Sequence, residues 1–203
     1  MTQPTQIFLV RHAETTMIQD NRIHGHLDAP LSEKGLRDAH KTADSLRGQH
    51  FDALYTSSLG RALTTARIIG EAIDLQPIAL DGLKERYYGW LEGQSLKWFE
   101  PALTGAWLNR ILSQAALAIS GESDQRFTHR ILKTFHTISD QHRAQRVLIV
   151  VHWGILSILT KLFRGESMQN WQAVGPWTAC GITEAHLNGN GWHIIRLDDG
   201  SHL

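Results

Sequence analysis

VLIVVHWGILSILTKLF, residues 147–163, sets the architecture. Its first five residues are a continuous apolar, mostly β-branched run without alternation, as expected of a strand buried on both faces at the centre of a parallel sheet. Ile155, Ile158, Leu159 and Leu162 then recur at helical spacing. His152, Gly154, Ser157, Thr160 and Lys161 interrupt the segment, so it reads as a strand entering a helix and not as a membrane span.

The same alternation extends outward in both directions, the pattern of parallel strands joined by helical crossovers. Residues 7–10 form the first strand. Ser32 caps a helix whose apolar side is Leu36, Ala39, Ala43 and Leu46, with Gly48 beyond it as a stop. Residues 53–55 are a short strand, followed by the cap candidates Thr56, Ser57 and Ser58 and by a helix with Leu59, Ala62, Leu63, Ala66 and Ile69 on one face. Residues 78–80 are a third strand, and Phe127, Ile131, Phe135 and Ile138 mark a further helix. ITEAHL, NGNG and WHIIRL, residues 182–197, read as an antiparallel hairpin at one end of the sheet. Trp98, Phe99, Leu103, Trp107 and Ile111 give residues 94–121 a loose helical spacing, and this segment is a candidate lid. The expectation is one α/β domain over residues 1–203. It has three α/β/α layers, a mostly parallel central sheet, one antiparallel edge hairpin and a small helical lid.

Composition narrows the function classes. The chain has 203 residues, enough for one domain with a real core. Twenty basic and twenty acidic side chains cancel, so no global field favours nucleic acid or an anionic membrane, and any anion site must be local. Cys180 is the only cysteine, which excludes an internal disulfide and a multi-cysteine zinc site. Together with the absence of a signal-peptide pattern in MTQPTQ, it leads to an expected cytoplasmic location. A homodimer is compatible with the sequence.

Several strand ends carry one kind of chemistry. The first strand runs into Arg11-His12, Arg61 lies in the first turn of the helix after the second, Glu85 follows the third, and the central strand runs into His152. In a parallel sheet the carboxyl ends of the strands lie along one edge, where open α/β folds build their sites. Two guanidinium forks suit a phosphoryl group, whose transfer depends on positioning and fixed positive donors. A helix start near Arg61 is expected to aim further N–H groups at the same anion. A histidine beside two guanidinium groups is disfavoured as imidazolium and can attack phosphorus, while a carboxylic acid such as Glu85 protonates the leaving alcohol and then activates water. The acid role predicts a rate that falls toward alkaline pH. Glu92 lies close to Glu85 in sequence and is its competitor.

These residues resemble the histidine phosphatase superfamily, also called the phosphoglycerate mutase-like family. LVRHAET is similar to its opening signature, and RIHGHLDAPLSEKG, TSSLGRALTTA, LKERYYGWLEG, SGES and VVHWG follow in order over nearly the whole chain. The resemblance implies that His12 is the nucleophile, that Arg11, Arg61 and His152 bind the phosphoryl group and that Glu85 is the proton donor. Composition alone does not choose His12 over His152. Thr15, His24, Gly25 and Trp153 are the candidate contacts to substrate, expected to be a small-molecule phosphate ester; His24 and Gly25 match the family position lining the substrate entrance. Neither a metal ion nor a cofactor is expected, although His24 and His26 stand two apart in HGH.

Four positions depart from the family pattern. Ala13 replaces a glycine after the first histidine, and Ile18 replaces an asparagine that contacts phosphate, leaving Asn21 or another donor to substitute. Trp153 replaces a glycine after the second histidine, where its indole would narrow the mouth or offer a stacking surface. Thr178-Ala179-Cys180-Gly181 stands where relatives have an Asn-Cys-Ser-like or Asn-Ala-Ser-like stretch. The short stretch between Gly93 and His152 favours a phosphatase over a phosphoglycerate-type mutase, and retention of both histidines, both arginines and Glu85 argues against a weakened phosphate-binding protein.

Overall fold

The computed structural model describes residues 3–95 and 120–203. Among them, six strands form one sheet: β1 (Thr5–Arg11), β2 (Ala53–Ser57), β3 (Ile78–Leu80), β4 (Arg146–Val151), β5 (Ile182–Asn188) and β6 (Gly191–Asp199), in spatial order β3-β2-β4-β1-β5-β6. β1 to β4 run parallel, and β5 and β6 add an antiparallel hairpin beside β1. The 147–151 run is therefore central, as its unbroken apolar composition requires.

Side chains alternate across the sheet and give each face its own core. Ile7, Leu9, Val147, Ile149 and Val151 pack against Phe127, Ile131 and Phe135 of α4 (Asp124–Gln141) and Ile155, Ile158 and Leu159 of α5 (Trp153–Phe163). Phe8, Val10, Leu54, Leu148 and Val150 pack against Ala43 and Leu46 of α2 (Glu33–Leu46) and Ala62, Ala66 and Ile69 of α3 (Gly60–Ile73). The one-turn helix α1 (Thr16–Gln19) follows β1, capped by the Thr15 side chain. No described helix is long and apolar enough to cross a membrane. The candidate lid at 94–121 lies almost wholly outside the described residues.

Two local expectations are corrected. Ser32 does cap α2, but Leu36 is 41% exposed, and Gly35 and Asp38 are buried in its stead. The first turn of α2 abuts the chain after β1, where a Cβ at Gly35 would stand 2.0 Å from the Glu14 carbonyl oxygen, and this contact turns Leu36 outward. At the start of α3, Ser57 Oγ accepts from the Leu59 N–H at 3.2 Å, but neither it nor Thr56 or Ser58 caps the N–H groups of Gly60 and Arg61. The N-cap position of α3 is Leu59, and the capping carboxylate comes from Asp28, which accepts from the N–H groups of Gly60 and Arg61.

Candidate active site

β1, β2 and β4 end on one edge, and their extensions meet there. His12 follows β1 and is 4% exposed, Arg61 lies in the first turn of α3 and is 1% exposed, and His152 is the N-cap residue of α5 and is fully buried. The rings of His12 and His152 stand 5.0 Å apart between centroids. His12 Nδ1 lies 2.8 Å from the Ala13 carbonyl oxygen. That oxygen can only accept, so Nδ1 holds the proton and Nε2 keeps its lone pair. Arg61 Nε–H donates to this Nε2 at 3.3 Å. Any group that approaches this nitrogen therefore meets the Arg61 guanidinium.

Both arginines are fixed by carbonyl oxygens. Arg61 Nη2 donates to Gly25 at 2.7 Å and Nη1 to Leu27 at 3.2 Å, while Asp28 Oδ1 stands 3.4 Å from Nη1. Arg11 Nη1 donates to the carbonyl of Trp177, whose indole N–H is itself anchored on Ser157 at 2.8 Å. Among the described residues, Arg11 Nε and both ring nitrogens of His152 are buried without a hydrogen-bond partner. Buried polar groups in native proteins are nearly always paired, so these atoms are free to bond a ligand. The N-terminus of α3 does not join them, contrary to expectation, because the Asp28 carboxylate occupies it.

Glu85 meets the first turn of α5. It belongs to no helix or strand and is 7% exposed, with Oε1 accepting from Arg86 N–H at 2.8 Å and Oε2 from Gly154 N–H at 3.0 Å. Gly154 is needed for this approach, since a Cβ there would stand 2.6 Å from Glu85 Oε1. Glu92, its sequence competitor, is engaged elsewhere. It accepts from the N–H groups of His26, Leu27 and Tyr88 and so shapes the loop that carries Gly25.

The substrate-binding candidates fall into place unevenly. Gly25 contributes its carbonyl to Arg61 and has φ +55°, a left-handed conformation that favours glycine. Thr15 Oγ1 lies 2.6 Å from His24 Nε2, and the His24 ring stands 6.3 Å from that of His12. Asn21, a donor considered in place of Ile18, is exposed. The Trp153 indole is half-buried and packs toward Trp171, with ring centroids 6.1 Å apart. His24 and His26 do not share a site, because His26 Nε2–H donates to the Glu85 carbonyl at 2.8 Å. Sequence reasoning missed Asp28 and the contact role of Gly154, although both stand inside quoted motifs.

The electrostatics keep the histidines neutral. Burial first, then Arg61, holds His12 and His152 well below the ordinary imidazole value of 6.5, and the same causes bring His24 down to about 4. Burial also works against the charge of both arginines, with Glu85 the foremost opposing charge for each. A folded-state pKa below the unfolded one means that the unfolded chain binds more protons as pH falls. The stability associated with these neutral rings is therefore fully present above pH 6.5 and is lost as pH drops toward the lowered values. Thermal unfolding of the phosphate-free protein should show a midpoint that declines from about pH 7 to about pH 5; a constant midpoint over that window would contradict neutral burial.

A buried neutral imidazole that accepts from one guanidinium and feels the charge of a second, at the edge of a mostly parallel sheet, suits phosphoryl transfer. Comparison with known proteins agrees: the description "Histidine phosphatase superfamily (branch 1)" matches residues 7–200, and the chain belongs to that family. It is 32% identical to a metal-independent phosphoserine phosphatase of Arabidopsis thaliana, over all of this chain and 84% of the relative. It is also 32% identical to an adenosylcobalamin/alpha-ribazole phosphatase of Salmonella typhimurium, over 88% of this chain and 91% of the relative. Among solved structures, Bacillus stearothermophilus YhfR superposes with a TM-score of 0.83 at 26% identity, covering 98% of each chain.

Proposed function

We propose that the protein hydrolyses small-molecule phosphomonoesters through a phosphohistidine at His12, without a cofactor or metal ion. The observation that carries this reading is the fixed tautomer of His12, whose Nε2 lone pair faces Arg61, with His152 beside it and with polar atoms of His152 and Arg11 unpartnered among the described residues. In the first step Nε2 attacks phosphorus, the ester P–O bond breaks, and Glu85 gives its proton to the departing alkoxide. In the second, water attacks phosphorus, Glu85 takes a proton from it, and the N–P bond breaks to release phosphate. Arg11, Arg61 and His152 hold the equatorial oxygens, where charge accumulates in the transition state.

Thr15, His24, Gly25 and Trp153 are the proposed contacts to phosphate and leaving group. His24, neutral and tied to Thr15, supplies the polar contact that Ile18 cannot make. The chain acts as one domain.

The likeness to the Arabidopsis phosphoserine phosphatase and the Salmonella alpha-ribazole phosphatase supports hydrolysis over transfer between hydroxyls. Incubation with phosphoserine, sugar phosphates, nucleoside monophosphates and 3-phosphoglycerate tests this. Free phosphate and the parent alcohol in equal amounts are expected. Isomerised phosphoglycerate without free phosphate would replace the reading with a mutase, and binding without turnover would replace it with a phosphate-binding protein.

A further inference from the structure

The position of Glu85 has to be set from outside its own segment, because it lies between a 3-10 turn at Asp81–Leu83 and another at Gly89–Leu91 with no ladder or helical hydrogen bonds to fix it. Arg130, on α4, reaches into this loop. Its Nη1 donates to the carbonyls of Gly82 at 3.1 Å and Lys84 at 2.8 Å, and its Nη2 donates to the carbonyl of Glu85 itself at 3.2 Å. The two remaining N–H groups form a bidentate pair with Glu122, Nε to Oε1 at 2.9 Å and Nη2 to Oε2 at 2.6 Å. All five donors of the guanidinium are thus used.

The loop is seated on α4 at a second point. A Cβ at Gly82 would stand 2.1 Å from Thr134 Oγ1, so the chain passes directly over the helix. On its far side the Glu85 carbonyl also accepts from His26. The Glu122 and Arg130 side chains are 15% and 24% exposed, which shields their pairing from solvent.

We propose that Arg130, oriented by Glu122, is a positioning residue that holds Glu85 against Gly154 at the height required for proton transfer to the leaving group. The proposal rests on Glu85 acting as the proton donor. Arginine is required because lysine has three donors on a single point and cannot span three carbonyls and a carboxylate together.

The test compares kcat/KM for p-nitrophenyl phosphate, whose leaving group departs with little need of a proton, with that for 2-phenylethyl phosphate, whose alkoxide needs one. Arg130→Met is expected to lose on the order of 10²-fold on the alkyl ester, as small displacements of a catalytic group do, and only about threefold on p-nitrophenyl phosphate. Arg130→Lys should show the same split. Glu122→Gln keeps the shape and turns an NH₂ toward one Arg130 donor; it should show the split in weaker form, and it serves if Arg130→Met does not fold. Equal losses on both esters, or no loss on either, would overturn the proposal, because a purely structural role lowers both alike. Glu85→Gln is run alongside. If it splits the two esters and the Arg130 and Glu122 variants do not, only the bracing role fails. If Glu85→Gln itself shows no split, Glu85 is not the donor and both readings fall.

Discussion

His12→Ala is expected to lower kcat/KM by roughly 10⁴-fold or more on every monoester, leaving only what positioning and charge achieve without a nucleophile. The size of the effect follows from the lack of a substitute. His152 is the nearest other imidazole among the described residues, with its centroid 5.0 Å away against 6.3 Å for His24, but neither of its nitrogens is engaged by a described neighbour that would fix its tautomer. His12, in contrast, has Nδ1–H committed to Ala13, which leaves Nε2 directed at incoming phosphorus. Arg11, Arg61 and His152 remain in the variant, so inorganic phosphate should still bind, as calorimetry would show. Full activity in His12→Ala would remove the proposed mechanism.

Glu85→Gln is expected to lower kcat/KM on alkyl monoesters by about 10²- to 10⁴-fold, the usual contribution of a placed proton donor. The side chain keeps its shape, but an amide has one acceptor oxygen where the carboxylate offers two. One of the N–H groups of Arg86 and Gly154 would then face an NH₂. An unfolding midpoint measured with the kinetics separates this cost from the chemical loss. Activity within about threefold of the parent protein on an alkyl ester would exclude Glu85 as the donor.

The parts of this arrangement that were legible in the sequence are those written in local pattern. The 147–151 run announced the centre of the sheet because a strand covered on both faces has no polar side, and β4 lies between β1 and β2. Arg11, His12 and His152 stood out because each ends a strand, and a parallel sheet carries such ends to one edge. What the sequence hid acts at long range. The cap of α3 is Asp28, 32 residues before the Gly60 N–H that it accepts from, so a search of the residues just before the helix pointed to Thr56, Ser57 and Ser58. Arg130 reads as one more polar residue of α4, although its guanidinium bonds Glu85 from 45 residues away. Leu36 was placed inward by helical spacing alone, and the close packing of Gly35 on Glu14 overrode that spacing.

The phosphohistidine is the claim on which the rest depends, and it can be trapped. The protein is mixed with a labelled phosphomonoester, quenched in alkali within the first turnover, digested and mapped by mass spectrometry. One phosphoryl group on His12, stable to alkali and released by acid, is the predicted result. Turnover with no protein-bound phosphoryl group at any quench time, or with the label on His152 or a carboxylate, would contradict it.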